Sequence, residues 1–283
     1  MTDRSYLSRL SERLLLRHAF VASCVLALWF ATRLSSGHPL AFEPELVVLF
    51  FGSSAYYDLH VHSYNLSADG MPGLLKKYWP GFSFSGILIL FFLTRCSSVF
   101  IVLSIVCFLF ALTYSVPLLM GSGGKKRVRE WPVMKIIVVG LAYAVMTVLV
   151  PGLDKVISLN QDALFVLFIQ RMIIVACLCI PFEIRDRKKE HVRGVRSLMD
   201  YGVARVRVLA VLSLMIGCSA VVWGHLNALI TRPVMISEAV LSSVTFFWMM
   251  MARENWPGWI YTYLVDGTML LLPILIILFI ECP

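Results

Sequence analysis

Three carboxylates at helical spacing stand at the end of a long apolar segment. Glu183, Asp186 and Glu190 lie at positions i, i+3 and i+7, so on a continuing helix they share one face. Carboxylates stacked in this way repel one another unless a cation lies between them. Oxygen ligands at a water-facing helix end suit magnesium, which commonly bridges carboxylates and a phosphate group. This acidic triplet predicts a magnesium site; a solvated helix with salt bridges at i, i+4 would account for the same spacing.

Basic residues accompany the acidic triplet, and they would complement the diphosphate that such a metal holds. Four of them lie in the same segment, at Arg185, Arg187, Lys188 and Lys189. A second basic cluster comprises Lys125, Lys126, Arg127 and Arg129. It follows Gly121-Ser-Gly-Gly124, which lacks the spacing of a phosphate-binding P-loop and which we interpret as a flexible cytoplasmic turn. We predict Arg187, Lys188 and the second cluster to bind substrate.

The composition decides the class of protein that positions these groups. Of the 283 residues, 59% are hydrophobic and 15% are charged, and the mean hydropathy is +0.81. Soluble domains contain about 25% charged residues, so this chain carries more apolar surface than a soluble globule of its size can bury. The composition also excludes a disordered chain and a disulfide-rich secreted chain. It indicates an all-α polytopic membrane protein.

Long apolar runs separated by charges predict eight or nine helical spans. They lie near 19–33, 43–63, 82–94, 97–119, 133–151, 162–182, 203–224, 233–251 and 259–280. The third run is short, so 82–119 is read either as one hairpin or as a broken helix. Residues 1–17 alternate Arg and Leu in the manner of a short amphipathic helix at the membrane surface, and residues 18–283 form the transmembrane domain.

The net charge of +8 is distributed unevenly between the two sides of the membrane. With nine spans, nineteen Lys and Arg residues fall on the side of the N-terminus and four on the other side. Basic loops are retained in the cytoplasm, so we expect the N-terminus in the cytoplasm and the C-terminus outside. The location that fits is a bacterial-type inner membrane. Because the charges lie in short loops, the pattern argues against a nucleic-acid partner.

The segment Ile180–Leu198 resembles the second aspartate motif of the UbiA superfamily of intramembrane prenyltransferases. That motif has the pattern D-x-x-D-x-x-x-D and a tail similar to Gly-(Val/Ile)-(Lys/Arg)-Thr-Leu. Here Glu183 and Glu190 replace the outer aspartates, Asp186 is retained, and the tail reads Gly-Val-Arg-Ser-Leu over 194–198. The element Tyr114-Ser-Val-Pro117 is similar to the tyrosine element of the family.

The resemblance implies about nine transmembrane helices around a central cavity that opens to the cytoplasm and to lipid. It further implies that magnesium holds an isoprenyl diphosphate between two aspartate-rich motifs. Departure of the diphosphate leaves an allylic carbocation, which a lipid or aromatic acceptor attacks. On this basis Asp186 and Tyr114 are predicted catalytic residues, and Glu183, Asp186 and Glu190 are predicted metal ligands.

The first motif departs from the family pattern N-D-x-x-D-x-x-x-D. The closest register here is His62, Asn65 and Asp69, so a histidine and an amide replace two carboxylates. We predict Asp69 and Asp58, one turn earlier, as metal ligands and Asn65 as a substrate-binding residue. His60 and His62 would suit zinc or iron, but at i, i+2 they lie on different sides of a helix.

This departure leaves two interpretations open. The chain is a divergent magnesium-dependent prenyltransferase, or it is a non-enzymatic homologue that binds a lipid or a membrane partner. A transporter is a third class, because charges within spans also mark ion paths. Arg171 and Asp266 are such charges, and they are expected to pair with each other or to line the cavity.

Overall fold

Helices account for nearly all of the chain that the structure describes. The structure is a computed structural model, and it describes residues 3–38, 41–63, 85–115, 119–121, 124–126, 131–153, 159–192 and 196–281. This part of the chain contains nine helical segments. They are α1 (Asp3–Ser35), α2 (Pro44–Ser63), α3 (85–93), α4 (Ser98–Ser115), α5 (Pro132–Gly152), α6 (Gln161–Val192), α7 (Val203–Leu226), α8 (Arg232–Met251) and α9 (Ile260–Glu281).

Two helices contain a π-helical turn, and a few short elements join the helices. The π-helical turns are Val145–Leu149 in α5 and Ile260–Val265 in α9. A 3-10 helix covers Leu198–Tyr201. In the π-helical turn of α5 the carbonyl oxygen of Thr147 accepts a 2.7 Å hydrogen bond from the Thr32 hydroxyl of α1. This hydrogen bond connects the turn to α1 and gives the Thr147 carbonyl oxygen a partner without a water molecule.

Within the described residues, six helices are long and apolar enough to cross a membrane: α1 from His18, α5, α6, α7, α8 and α9. Their outer faces are apolar as well. On α7, for example, Leu209, Leu212, Met215 and Ile216 are each more than half exposed. A soluble protein does not present an apolar stripe of this kind to water, whereas lipid solvates it. The chain is thus an all-α polytopic integral membrane protein, as its composition predicts; the number of nine spans stays a prediction.

Helices α1 and α6 lie at the centre of the packing. The largest apolar cluster joins them with α7, α8 and α9, and it contains Leu28, Leu178, Leu214, Leu241 and Leu272. A second cluster packs α1 against α2, α4 and α5 around Trp29 and Phe100. A third joins α5 to α6, α7 and α8 around Val148 and Leu167. Helix α6, which carries the acidic triplet, is therefore held on several sides.

Proline and glycine set several of the helix boundaries near the site. Helix α5 begins with Pro132 after Trp131, which has an extended backbone, and proline is favoured at this first position because it has no N–H to leave unpaired. Gly202 separates the 3-10 helix from α7 with φ of 98°, a value that a residue with a Cβ rarely adopts.

The structure corrects one detail of the predicted elements, the turn at 121–126, and agrees with the predicted break within 82–119. The expected flexible turn at 121–126 contains paired strands instead, β1 (Leu119–Gly121) and β2 (Gly124–Lys126), which are antiparallel with Met120 opposite Lys125. The segment 82–119 contains two helices, α3 and α4, separated by a turn at 94–97. Helix α1 is continuous across the boundary at residue 17, and a surface location for residues 1–17 stays a prediction.

Candidate active site

The acidic triplet lies on the last turns of α6. This helix continues without a break to Val192, so Glu183, Asp186 and Glu190 occupy the helical positions that their spacing predicts. Pro181 stands inside the helix two residues before Glu183. A proline there removes one backbone hydrogen bond and favours a bend in the helix just before the triplet.

Lys135, in the first turns of α5, contacts both glutamates of the triplet. Its Nζ lies 2.5 Å from Glu183 Oε2 and 2.6 Å from Glu190 Oε1. All three residues are buried, with exposures of 5%, 8% and 9%. Within the described part of the chain, Glu190 Oε2 has no hydrogen-bond partner. The cation that the sequence requires between these carboxylates is therefore present as a lysine side chain of the neighbouring helix.

Asp186 has a different set of partners. Its two oxygens accept hydrogen bonds from Arg185 Nε at 2.9 Å and Nη2 at 2.6 Å, and Lys189 Nζ lies 3.6 Å from Oδ1. The Arg185 guanidinium also lies 5.0 Å from the ring centres of Phe182 and Tyr261, within cation–π range. The bidentate pair and the two rings fix the orientation of the Asp186 carboxylate.

The tail of the motif forms a capped turn beside α6. The Ser197 hydroxyl accepts a hydrogen bond from the Met199 N–H, and Asp200 accepts one from the Ser197 N–H at 2.9 Å, which makes a capping box. His191 Nε2 lies 2.8 Å from Asp200 Oδ1, and Arg187 Nε lies 3.8 Å from the same oxygen. Asp200 thereby connects this turn to the end of α6.

The surroundings of Asp200 also set its ionisation. Partial burial acts to raise the pKa of Asp200, but the N–H of Ser197 and the side chains of His191 and Arg187 outweigh it. They hold the pKa of this carboxyl below its ordinary value, because each interacts favourably with the charged form.

The predicted substrate-binding residues on α6 have carboxylate partners. Arg187 faces Asp200, as described above, and Lys188 Nζ lies 2.9 Å from Glu254 Oε2. Glu254 belongs to the loop between α8 and α9, and its exposed contact with Lys188 lowers its pKa. The Lys188 side chain is 81% exposed. Both residues lie at the same end of α6 as the triplet, where they remain candidates to meet an anion.

The other predicted site residues fall in less fully described parts of the chain. Tyr114 is buried near the end of α4. Asp58 lies in α2, and Lys125 and Lys126 lie in β2. Asn65, Asp69, Arg127 and Arg129 lie outside the described residues. Their predicted roles stay predictions.

The donor set around Glu183 and Glu190 does not fit a magnesium ion, because the Lys135 ammonium already contacts both carboxylates. Across the residues that the structure describes, no three His, Cys, Asp or Glu side chains lie close enough together to hold a metal ion. Asp186 keeps lone pairs beyond its two bonds to Arg185. Of its predicted metal-binding partners, Asp58 lies in α2 and Asp69 lies outside the described residues.

Arg171 and Asp266 do not pair with each other, which was one of the two arrangements predicted for them. Arg171 Nη2 lies 3.4 Å from Glu238 Oε1 of α8, so the partner of Arg171 is Glu238 rather than Asp266. Asp266 is buried where α9 leaves its π-helical turn. Glu238 is a functional candidate that the sequence analysis does not include, although it lies inside the eighth predicted span, 233–251.

Lys135 and Asp200 are the other functional candidates whose roles the sequence reading missed. Lys135 lies near the start of the fifth predicted span, 133–151. A charged residue in the first turns of an apolar helix requires a partner of opposite charge, and this position could have identified Lys135 as a functional candidate. For Asp200 the signal was Ser197-Leu-Met-Asp200, which has the spacing of a capping box.

A small apolar groove of about 220 Å³ lies between α6 and α7, lined by residues that include Phe165, Ile169 and Trp223. It adjoins the first turns of α6, whereas the triplet occupies the last turns. At 1.5 Å per residue, Phe165 and Glu183 are separated by roughly 27 Å along the helix. The groove is therefore separate from the candidate site.

Sequence comparison gives no relatives for this chain, but structural comparison does. No protein-family model and no curated protein matches the sequence. A UbiA homologue from Archaeoglobus fulgidus bound to GPP and Mg²⁺ matches the structure with a TM-score of 0.59 at 15% identity, covering 95% of this chain and 97% of the other. A digeranylgeranylglyceryl phosphate synthase matches with a TM-score of 0.59 at 14% identity, covering 94% and 97%.

An apo UbiA homologue from Aeropyrum pernix K1 also matches, with a TM-score of 0.58 at 14% identity over 96% of this chain and 98% of the other. The protein is thus a polytopic helical membrane protein, and its helices share one known arrangement with these structures over nearly the whole chain. That arrangement is the fold of the UbiA homologues, and the resemblance read from Ile180–Leu198 is confirmed at the level of the fold.

Proposed function

We propose that this protein transfers an isoprenyl group from its diphosphate to a lipid or aromatic acceptor in or near the bilayer. The observation that carries the proposal is the fold, which the chain shares over almost its full length with a UbiA homologue bound to GPP and Mg²⁺. The second motif supports it, because carboxylates and basic side chains occur together at one end of α6.

The chemistry requires charge neutralisation and shielding. The bond between the prenyl carbon and the diphosphate oxygen breaks, and its electron pair leaves with the diphosphate. The acceptor then forms a bond to the allylic carbon and loses a proton. Arg187, Lys188 and the basic cluster at 125–129 would bind the diphosphate and stabilise its growing charge. Buried Tyr114 would shield the carbocation with its ring.

Magnesium dependence is part of this proposal. The ion would add positive charge to the diphosphate, and its proposed ligands are Asp186 together with Asp58 and Asp69 of the first motif. Glu183 and Glu190 belong to the same predicted set, but their ammonium partner argues against a metal between them. Among the described carboxylates of the motif, Asp186 is the residue whose substitution best tests the proposal.

The test is transfer from isotope-labelled geranyl or farnesyl diphosphate, in membranes that contain the protein, with and without magnesium. We expect magnesium-dependent transfer, and we expect Asp186→Asn to reduce its rate at least tenfold, equivalent to about 1.4 kcal/mol in the barrier. Asp162→Asn is the matched control, because Asp162 lies exposed in the first turn of the same helix. Unaltered prenyl diphosphate, or an unchanged rate for Asp186→Asn, would overturn the proposal.

A non-enzymatic homologue that binds a lipid or a membrane partner is the second candidate. The observation that favours it is that Lys135 already neutralises part of the carboxylate charge that a metal-diphosphate complex would need. The same assay separates the two candidates, because a binding protein retains labelled diphosphate without altering it.

The proposed orientation has the N-terminus in the cytoplasm and the C-terminus outside, in a bacterial-type inner membrane. It is supported by the nineteen basic residues on one side against four on the other. A C-terminal fusion to alkaline phosphatase, which is active only outside the cytoplasm, should be active. If the phosphatase fusion is inactive and a C-terminal fusion to a fluorescent protein is fluorescent, the C-terminus lies in the cytoplasm and the proposed orientation is wrong.

A further inference from the structure

The ammonium of Lys135 forms a fixed cation between two carboxylates of the predicted metal-binding motif. It contacts Glu183 at 2.5 Å and Glu190 at 2.6 Å. The three side chains come from two helices, α5 and α6, that pack directly on each other: a Cβ at Gly140 would lie 2.8 Å from the Met172 carbonyl oxygen. The backbones of the two helices are therefore in close contact at Gly140 and Met172, five residues along α5 from Lys135.

We propose that Lys135 is a tethered cation that occupies the place of a divalent ion between Glu183 and Glu190 and so excludes such an ion from this pair. The physical reason for the exclusion is electrostatic repulsion. A divalent ion within reach of both carboxylates would also lie next to the ammonium, which repels it.

Charge arithmetic makes the proposal specific. With both glutamates ionised, the two carboxylates and one ammonium carry a net charge of −1, and Glu190 Oε2 is buried without a hydrogen-bond partner among the residues that the structure describes. The two glutamates therefore still attract positive charge. The presence of Lys135 determines whether a metal ion can bind between them. Removal of the ammonium should turn the same two carboxylates into a metal site.

The consequence for catalysis rests on the proposed function. If the chain binds an isoprenyl diphosphate, this side of the site neutralises it without a metal ion at the glutamate pair. Basic side chains such as Arg187 and Lys188 then supply the charge, and metal binding is confined to other carboxylates. The exclusion itself is a property of the protein alone, and it is measured without any prenyl substrate.

The experiment counts Mn²⁺ ions bound by the purified full-length protein in detergent, from the loss of the free-ion EPR signal during titration. The charge-removing variants are Lys135→Met and Lys135→Gln, and the conservative control is Lys135→Arg. We expect each charge-removing variant to bind one Mn²⁺ more per chain than the wild type. Lys135→Arg should bind the same number as the wild type. Addition of Glu190→Gln to Lys135→Met should remove the extra ion.

Glu190→Gln in the wild-type background provides the decisive arm if the lysine variants fail to fold. The proposal expects this variant to bind as many Mn²⁺ ions as the wild type, because the pair holds none. Loss of one ion in Glu190→Gln would overturn the proposal, as would folded Lys135→Met that gains none. Absence of prenyl transfer would overturn the proposed function and leave these binding results unaffected.

Discussion

Arg171 and Glu238 form an ion pair between α6 and α8 that is closed to solvent. Arg171 Nη2 lies 3.4 Å from Glu238 Oε1, and each side chain is 1% exposed. One turn along α8, Ser242 accepts a 2.9 Å hydrogen bond from Gln170 Nε2, so a second polar contact lies beside the pair. A membrane span tolerates a buried charged residue when a residue of opposite charge contacts it. The packing of α6 against α8 at this point therefore depends on both Arg171 and Glu238.

Neutralisation of one partner of this pair should destabilise the protein strongly. Glu238→Gln leaves the Arg171 guanidinium buried without a counter-charge, and loss of one partner of a buried pair costs about 3–5 kcal/mol. We expect the free energy of unfolding, measured by SDS titration from mild detergent, to fall by about that amount. The double variant Arg171→Met with Glu238→Leu should recover most of it, because it removes both buried charges.

The control for this prediction is Glu254→Gln, which removes the same kind of charge from an exposed contact with Lys188. Its stability should be nearly unchanged, because an exposed ion pair is screened by water and salt. A Glu238→Gln variant as stable as the wild type would show that the pair does not link the two helices.

The architecture follows from the sequence because its determinants are local. Long apolar runs and the charges between them are visible within a window of about 20 residues, so the class of protein is predictable. The position of Glu183, Asp186 and Glu190 on one continuing helix is predictable for the same reason, since a helix repeats every 3.6 residues.

The partners of these residues are not predictable from local pattern. Lys135 and Glu190 are 55 positions apart, and Arg171 and Glu238 are 67 positions apart. Their contacts depend on how helices lie side by side, which no spacing within one segment encodes. From the sequence, Arg171 was expected either to pair with Asp266 or to line the cavity, and neither alternative named Glu238. Knowledge of helix neighbours was required to choose between the acids.

Close packing of α5 on α6 should make Gly140 intolerant of a larger side chain. A Cβ there would lie 2.8 Å from the Met172 carbonyl oxygen, and a backbone atom cannot move aside as a side chain does. We expect Gly140→Ala to lower the free energy of unfolding by about 1–3 kcal/mol. The SDS titration described above measures this change.

Gly52→Ala is the matched control for Gly140→Ala. Gly52 lies in the interior of α2, and a Cβ there would meet no described atom within 4 Å. Alanine is the better helix former, so this variant should be as stable as the wild type or slightly more stable. Equal stability of the two variants would contradict close contact between α5 and α6 at Gly140.

The capped turn after α6 should contribute stability that depends on pH. The pKa of Asp200 is lower in the folded protein than the unfolded value of about 3.9, since Ser197, His191 and Arg187 stabilise its charge. The contribution is therefore fully present above about pH 4, and it is lost as the pH falls through that value toward the folded pKa.

Thermal unfolding of the wild type and of Asp200→Asn between pH 7 and pH 3 tests this expectation. The wild type should unfold at the higher temperature at pH 7, and the difference should shrink below about pH 4 as Asp200 is protonated. Asp162→Asn, which removes an exposed acid from the other end of α6, should show no comparable change. A difference between wild type and Asp200→Asn that is constant across the range would refute the role of the Asp200 charge.

Arg185 should position Asp186 in a way that lysine cannot reproduce. The guanidinium donates two hydrogen bonds to Asp186 and lies 5.0 Å from the Phe182 and Tyr261 ring centres. Lysine keeps the charge but has no planar fork and makes a weaker contact with the rings. We expect Arg185→Lys to lower stability by about 1–2 kcal/mol. If the proposed prenyl transfer occurs, its rate should fall as well, because the Asp186 carboxylate is no longer held in one orientation.

A double-mutant cycle isolates the ring contact from the charge. Tyr261→Leu removes the ring, and the cycle with Arg185→Lys should give a coupling free energy of about 0.5–1 kcal/mol, the size of a cation–π contact. Tyr261→Phe is the control, since it keeps the ring and loses only the 2.6 Å hydrogen bond to the Arg253 carbonyl oxygen. Its cycle with Arg185→Lys should retain the coupling. Strict additivity of Arg185→Lys and Tyr261→Leu would mean that Asp186 alone holds the guanidinium and that the rings do not help to orient the carboxylate.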